Sequence, residues 1–375
     1  MSVSVHRIVD ARDRRGGDFV CFPQSIYGED SLYVPWFRGD VQEILDRKHP
    51  FFEHSDGAFF LASRGDRPLG RVAALEPRRF NRYRGRREAW FSLFDSVEDP
   101  GVSEALFAAA ADWARERGLD RMVGPRGLSG MNGGGILVEG FQHPPAMTMM
   151  AYNHPYYGLL AEDFGFRKRR DFFSAWLDGA SYRTPEKITR VAEIALKRGA
   201  FRIAEIRTKK DLAAAAREIG GVYNESWGDH DDFCPLTGKE LARLVRGLLL
   251  VSDPGLIKVI MKGDEAAGFC LTFPDLTPSL RAARGKPNLP ALLRILREKK
   301  RTRRFVINGI GVLPRFRNSG GTAVIYRELE RTLKGRDVLG ADMTQIAETT
   351  DLMLKDMETL GGRVYKTHRV YERPL

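Results

Sequence analysis

Two arginines and a run of small, hydroxyl and amide residues stand together in Pro314-Arg-Phe-Arg-Asn-Ser-Gly-Gly-Thr-Ala323. A helix predicted to begin after Gly321 leaves its first N–H groups free at the positive end of its dipole, a setting that suits a phosphate. Arg315 and Arg317 add charge and forked donors. Asn318, Ser319, Gly320, Gly321, Thr322 and Ala323 complete the expected anion cradle. The segment is not a P-loop, because no Gly-Lys-Ser/Thr closes it, and it is not a G-x-G-x-x-G turn. An ordinary strand-to-helix connection is the competing reading.

The elements around the loop follow from periodicity. Phe305 to Leu313 is an apolar strand broken by Gly309 and Gly311. The helix places Ile325, Leu329 and Leu333 on one stripe and stops at Lys334-Gly335. A strand (338–346), a helix (350–360), Gly361-Gly362 and a basic aromatic strand follow. The first half of the chain repeats this order: strand 88–94, helix 101–117, strand, helix, Gly165, basic aromatic strand. That repeat predicts a duplicated domain. Its first copy carries Glu98-Asp99-Pro100-Gly-Val-Ser-Glu104 where the second carries the basic loop. Carboxylates repel a pyrophosphate and Pro100 has no N–H, so anion binding is assigned to the second copy.

The bulk properties bound the reading. The chain has 375 residues with 43% hydrophobic and 29% charged residues. That predicts a globular protein of two domains, placed at 1–180 and 201–375 with a connecting helix over 181–200. The Thr184-Pro-Glu start supports that helix. Cys21, Cys234 and Cys270 form no ligand pattern, which argues against a metal and fits a reducing cytoplasm. The N-terminus has no apolar h-region, and no stretch is long and apolar enough to span a membrane. A net charge of +11 points to anionic partners. The basic aromatic run Arg78 to Arg87 is read as a solvated hairpin loop, with nucleic-acid contact as the alternative.

Taken whole, the chain resembles a bacterial branch of the GNAT (GCN5-related N-acetyltransferase) superfamily with two fused domains. The resemblance runs through Phe22-Pro23 with Tyr27, Val34-Pro35 and Gly124-Pro125. It continues in Gly135-Ile-Leu-Val-Glu-Gly-Phe141, Pro144-Pro145, Tyr152-Asn153 and Pro155-Tyr156-Tyr157. Asn224 with Trp227, Phe233 with Pro235, Pro274-Asp275 and Gly311-Val-Leu-Pro314 also match, as do Gly361-Gly362, Tyr365-Lys366 and Arg369 with Tyr371. The loop is similar to the Arg/Gln-x-x-Gly-x-Gly/Ala pyrophosphate motif, with Arg317, Gly320 and Thr322 in the three places. The resemblance implies an α/β fold (α+β, three-layer α/β/α) with mixed central sheets, and an acetyl- or longer acyl-coenzyme A as co-substrate. Its pantetheine arm would lie in a splay between strands 305–313 and 338–346. Backbone groups of Ile310, Val312 and Leu313 would hold its amides.

The implied reaction is N-acyl transfer to a small amine or amino-acid-like acceptor by direct attack. It needs a neutral amine, a polarised thioester carbonyl and a base. Glu348 is the expected base, against a helix-capping role; Asp342, Glu225 and His230 are further candidates. Asn132, Glu139, Tyr152, Asn153 and Tyr156, with Asn224, Trp227 and Phe233, are expected to line the acceptor pocket. Three departures stand out: Thr322 replaces a small residue, Gln345 and Thr350 replace an expected Trp and Asn, and no tyrosine lies between Thr332 and Gly362. An aminoacyl-tRNA donor and a non-catalytic coenzyme-binding protein are the alternatives.

Overall fold

The computed structural model describes residues 2–29, 31–128 and 133–375. Its strands are β1 (Ser4–Ile8), β2 (Asp56–Arg64), β3 (Arg67–Glu76), β4 (Glu88–Ser96), β5 (Arg121–Gly124), β6 (Ile136–Glu139) and β7 (Arg167–Asp178). β8 (Arg202–Ile203), β9 (Lys258–Lys262), β10 (Glu265–Pro274), β11 (Arg304–Val312), β12 (Gly340–Ala347) and β13 (Arg363–Pro374) follow.

Two compact units form, and neither is a contiguous half of the chain. One joins residues 1–172, 277–295 and 366–375; the other joins 173–276 and 296–365. The segment 181–200, expected as a connector, belongs to the second unit. Its helix, Glu186–Lys197, buries Ala192 and Ala195 in that unit's core.

In the first unit the sheet runs β1-β2-β3-β4-β5-β13, with β6 also on β13. β4 and β5 are parallel, and β13 is antiparallel to β5. Adjacent residues of a strand face opposite sides, so β3 shows both covering layers. Gly70 faces Leu106 and Val102 of the helix Pro100–Arg115, while Arg71 donates to the Phe19 carbonyl of the helix Gly16–Cys21. The core is aromatic: Phe94 stacks on Phe107 at 4.5 Å between centroids, and Phe91 and Phe166 pack edgewise or tilted around them. The run 78–87 is not a loop: Arg78–Arg84 is a helix. Phe80 is buried there, and the Asn81 side chain bonds both backbone groups of Glu88. Those anchors are made to the following strand, β4, at Glu88 and Trp90, beyond what turn chemistry reports.

The second unit's sheet runs β7-β12-β11-β10-β9-β8. β11 and β12 are parallel, and β8 to β11 form an antiparallel run. Cys270 faces a core shared with Val324, Ile325 and Leu329 of the helix Gly321–Leu333. Leu271 faces the helices Lys209–Ser226 and Gly238–Val251 instead. The unit is therefore three-layered. Both of the latter helices start with a Thr–Asp/Glu capping box, at Thr208 and Thr237.

His368 on β13 is fully buried in the first unit, with Nε2 2.8 Å from the Ala151 carbonyl. The neutral tautomer that donates there is favoured, and burial lowers its pKa from 6.5 to about 4. A depressed folded pKa contributes stability that is present above pH 6.5 and lost as pH falls toward 4. Each unit is worth about 1.4 kcal/mol, so the loss reaches about 3 kcal/mol. Chemical unfolding of the wild type and His368→Gln at pH 7.5, 6, 5 and 4 checks this: the variant's stability should fall less steeply over that window.

Candidate active site

The site begins where a ladder stops. β11 and β12 pair from Arg304↔Gly340 to Ile307↔Met343, and the pairing goes no further. Two kinks follow at once. Gly309 has φ 111° and Gln345 has φ 59°. On the other edge of β11 the register with β10 slips between Cys270 and Thr272. A residue with positive φ beside a register slip is a bulge, and it turns the strand away from its neighbour. Residues 308–312 and 344–347 thus bound a splay. Gln345 Nε2 donates to Asn308 Oδ1 at 3.3 Å across its mouth.

The wall on the β10 side is apolar and close. A Cβ at Gly309 would lie 3.4 Å from the Trp227 ring, and one at Gly311 would lie 2.8 Å from Phe269 and 3.1 Å from Ser226 Oγ. Ser226 Oγ and Asn308 Nδ2 are buried polar atoms with no partner among the described residues. Orphaned buried groups cost stability unless a ligand satisfies them. Beside this wall, the helices Lys209–Ser226 and Gly238–Val251 enclose an apolar chamber of about 40 Å³ that is partly open to solvent. Leu271 and Tyr223 line it. Leu271 also lies 3.9 Å from a Gly309 Cβ, and Tyr223 packs on Trp227 at 4.3 Å. The chamber therefore adjoins the bulge.

The basic loop joins β11 to the helix Gly321–Leu333. That helix starts from Gly320 at φ 91°, and no side chain caps it. Its first N–H groups, from Gly321 to Ala323, are left over by helix geometry. Asn318 is also left-handed, and Ser319 Oγ donates to the Phe316 carbonyl. Gly320 has a packing reason as well, since its Cβ would meet Ala195 at 3.1 Å. Arg317 Nη2 donates to the Ser226 carbonyl at 2.7 Å, and its other nitrogen lies 3.7 Å from Asp229. Arg315 pairs with Glu225 and Glu265. Thus Arg317 is tied to the splay wall through Ser226, while Arg315 is held by two carboxylates.

The first unit has the same architecture with its openings filled. The β4–β5 ladder also stops early, at Trp90↔Val123, and Leu93 has φ 47°. Leu93 is the sixth residue of β4, as Gly309 is of β11. Here the chain's own groups occupy the gap. Arg126 N donates to the Phe91 carbonyl at 2.9 Å, Ser96 N to Tyr157 Oη at 3.2 Å, and Tyr156 Oη to the Ser96 carbonyl at 2.9 Å. At the helix start, Asp99 Oδ1 accepts from Gly101 N at 3.0 Å. A carboxylate stands where an anion would bind.

The residues expected to line an acceptor pocket fall in both units. Glu139, Tyr152, Asn153 and Tyr156 are in the first, and Asn224, Trp227 and Phe233 in the second; Asn132 lies outside the described residues. Glu139 accepts from Thr367 Oγ1 at 2.6 Å, and Tyr152 donates to the Phe141 carbonyl at 3.3 Å. Asn153 bonds Leu137 N and O, and Asn224 bonds Leu236 N and O. Both asparagines spend their amides pinning backbone. Trp227 and Phe233 pack 6.2 Å apart on the bulge side.

Glu348 is half-buried in the turn after β12; the helix Asp351–Thr359 takes Thr350 at its N-cap position. Asp342 accepts from Tyr365 Oη, and burial with that carboxylate beside it holds the Tyr365 phenol far above its usual range. Glu225 holds Arg315, and His230 sits in a turn where its N–H donates to the Trp227 carbonyl. Burial pushes the Cys270 thiol up to about 11, so it is not a nucleophile at neutral pH. Among the described residues, no group of three or more His, Cys, Asp and Glu side chains is placed to hold a metal ion. Ser226 and Asn308 were missed from sequence. The signal was present: Asn308 is the one polar residue in the run Phe305 to Leu313.

Comparison with known proteins agrees with this geometry. Among solved structures, a tandem GNAT protein from the clavulanic acid biosynthesis pathway superposes with a TM-score of 0.54. The two are 12% identical, and the match covers 99% of this chain and 98% of that one. A GCN5-related N-acetyltransferase from Sphaerobacter thermophilus gives 0.51 at 12% identity, covering 99% and 95%. No family model matches. The fold is thus that of the tandem GNAT proteins. Over 373 residues the chain is 30% identical to the bacterial ceramide synthase of Caulobacter vibrioides (strain NA1000 / CB15N), covering 95% of this chain and 94% of that protein. It is 24% identical over 364 residues to Protein YghO of Escherichia coli (strain K12), covering 95% and 92%. The chain belongs to the family of the bacterial ceramide synthase.

If the second unit alone takes the coenzyme, the two helix starts must respond differently. Arg317→Glu should abolish the rise in Tm that acyl-coenzyme A produces. Asp99→Ala should cost about 1 kcal/mol of stability, the usual worth of an N-cap, and leave that rise intact. Equal loss of ligand response in both variants would overturn the assignment.

Proposed function

We propose that the chain transfers a long acyl group from acyl-coenzyme A to the amino group of a long-chain amino alcohol, forming a ceramide-type amide. The observation that carries this reading is the wholly apolar lining of the chamber that adjoins the Gly309 bulge, because a small polar acceptor would gain nothing from it. The name of the relative that is 30% identical supports it. The acceptor is then an amphiphile, not the small amine or amino acid that the resemblance implied.

The residues present fit the coenzyme. The splay edge of β11, through Ile310, Val312 and Leu313, offers backbone groups to amides. Ser226 Oγ and Asn308 Nδ2 offer orphaned polar atoms. The uncapped helix start from Gly321 to Ala323, with Arg317, suits a pyrophosphate. Glu265 and Glu225 reduce the share of Arg315, since their carboxylates compete with phosphate for it.

Bound there, the coenzyme would supply a thioester, and the strand N–H groups would be available to polarise its carbonyl. The chain would orient it, exclude water through Trp227, Phe233 and Phe269, and take a proton from the acceptor's ammonium so that the neutral amine attacks the thioester carbonyl and the C–S bond breaks. Glu348, past the open end of β12, is the proposed base. No tyrosine lies in the helix Asp351–Thr359, so the departing thiolate takes its proton elsewhere. At neutral pH a thiolate is a competent leaving group without one.

Two measurements test this together. Palmitoyl-coenzyme A with sphinganine should yield free thiol and the N-acyl product by mass spectrometry. Ala216→Phe, which narrows the chamber at a lining position, should lower kcat/KM for the long-chain pair about tenfold and spare a short-chain pair, since each buried methylene is worth about 0.8 kcal/mol. Loss that is equal at every chain length, or turnover with short polar amines alone, would sink the reading.

A further inference from the structure

The helix Leu289–Arg301 has a face that its packing does not explain. Ala291 and Ile295 are its buried positions. Leu289, Leu292, Leu293 and Leu296, at i, i+3, i+4 and i+7, form one continuous stripe that is 68%, 41%, 59% and 46% exposed. Scattered surface leucines are ordinary; four on one stripe of one helix are an exposed apolar patch.

The charge around the stripe is one-sided. From Leu289 to Arg301 the helix holds five cations (Arg294, Arg297, Lys299, Lys300, Arg301) and one carboxylate, Glu298. Lys299 donates to the Ser252 carbonyl. Among the described residues, Arg294, Arg297, Lys300 and Arg301 are in no ion pair, although ion pairs are frequent elsewhere in this arginine-rich chain. On the helical wheel Lys300 continues the leucine stripe at its C-terminal end, Arg297 borders it, and Arg301 and Arg294 stand further round on the same side.

We propose that this helix docks the protein on anionic bilayers. The leucine stripe would enter the headgroup–acyl boundary, and Arg297, Lys300 and Arg301 would meet lipid phosphates. This is the pattern of a helix that lies in the interface: a large apolar–polar asymmetry with cations on the polar side. At 13 residues the helix is too short to span a bilayer, so the contact is peripheral and reversible. A protein partner would have to bring an acidic rim around an apolar groove. A second copy of this chain would bring its own unpaired cations to the same place. The unpaired charge therefore selects a lipid surface. The inference does not depend on the proposed acyl transfer, because vesicle binding is read without substrates.

The test uses the full chain in a flotation assay with vesicles of phosphatidylcholine alone and with phosphatidylglycerol added. Wild type should float with the anionic vesicles, float much less with the neutral ones, and be released by high salt. Replacing Leu292, Leu293 and Leu296 together by Ser should weaken anionic binding about tenfold or more with an unchanged Tm, since all three are exposed. Arg294→Gln with Arg297→Gln should weaken it and flatten the salt dependence. Leu293→Trp should show a blue-shifted emission on adding anionic vesicles. The proposal fails if wild type stays unbound at low salt, or if the triple Ser variant floats as well as wild type. It also fails if gel filtration shows a dimer that the triple variant breaks without any change in flotation.

Discussion

Everything specific to the second unit depends on a parallel ladder that stops after four residue pairs. Parallel strands joined by a helix would ordinarily stay paired along their shared length, because an unpaired backbone group inside a protein is costly. Here β11 and β12 part after Ile307 and Met343. The positive φ of Gly309 takes one strand away, and that of Gln345 takes the other. For glycine this conformation is free. For Gln345 it is strained, by an amount on the order of 1 kcal/mol or more, and its bond to Asn308 helps hold it. The opened edge, the orphaned Asn308 amide and the neighbouring Ser226 hydroxyl all follow from that parting.

The two units show how one architecture is kept or emptied of a site. Both bend their central strand at its sixth residue, and both lead from it into a helix. In the first unit the gap is closed by Arg126, Tyr156 and Tyr157, and the helix start by Asp99. Its closure is backed by a buried pair, Arg71 with Asp95 at 2.8 Å, to which Tyr157 is also joined. Burial raises the Asp95 carboxyl while Arg71 pulls it down. Removing either partner would strand a buried charge, so this arrangement is rigid in composition. The unit that keeps its gap open carries glycine where the other carries leucine.

Much of this was legible in the sequence, and the limit has a physical form. The strand, the basic loop and the helix after it could be read from Phe305 to Leu333, because periodicity, capping and glycine placement are local. The duplication could be read from the order of elements, and the contrast of Asp99 with Arg317 from charge alone. The roles of side chains could not. Arg315 looked as available as Arg317, but its partners Glu225 and Glu265 lie 90 and 50 residues away. Asn153 and Asn224 looked like pocket residues, yet each spends its amide on backbone. The helix Arg78–Arg84 was hidden because its anchors, Phe80 and Asn81, are defined by β4 and not by their neighbours. Nor could the composition of the units be read, since residues 277–295 and 366–375 join the first unit by packing.

The chamber's position constrains the chemistry more than its size does. It lies on the Leu271 face of the second sheet, while the helix whose start suits a pyrophosphate packs on the Cys270 face. For the proposed coenzyme, the splay past Gly309 and Gly311 would be the way from that helix start toward the chamber. A Cβ at Gly311 would close that passage against Phe269 and Ser226. In the proposed reading a thioester in the splay would sit between a polar approach and an apolar one, beside the strand N–H groups. That order favours direct transfer: the buried, protonated Cys270 is on the wrong face and in the wrong state to carry an acyl group. In the proposed reading the acceptor amine would meet the thioester at the open end of the splay, beyond Gln345, toward the turn after β12 that carries Glu348.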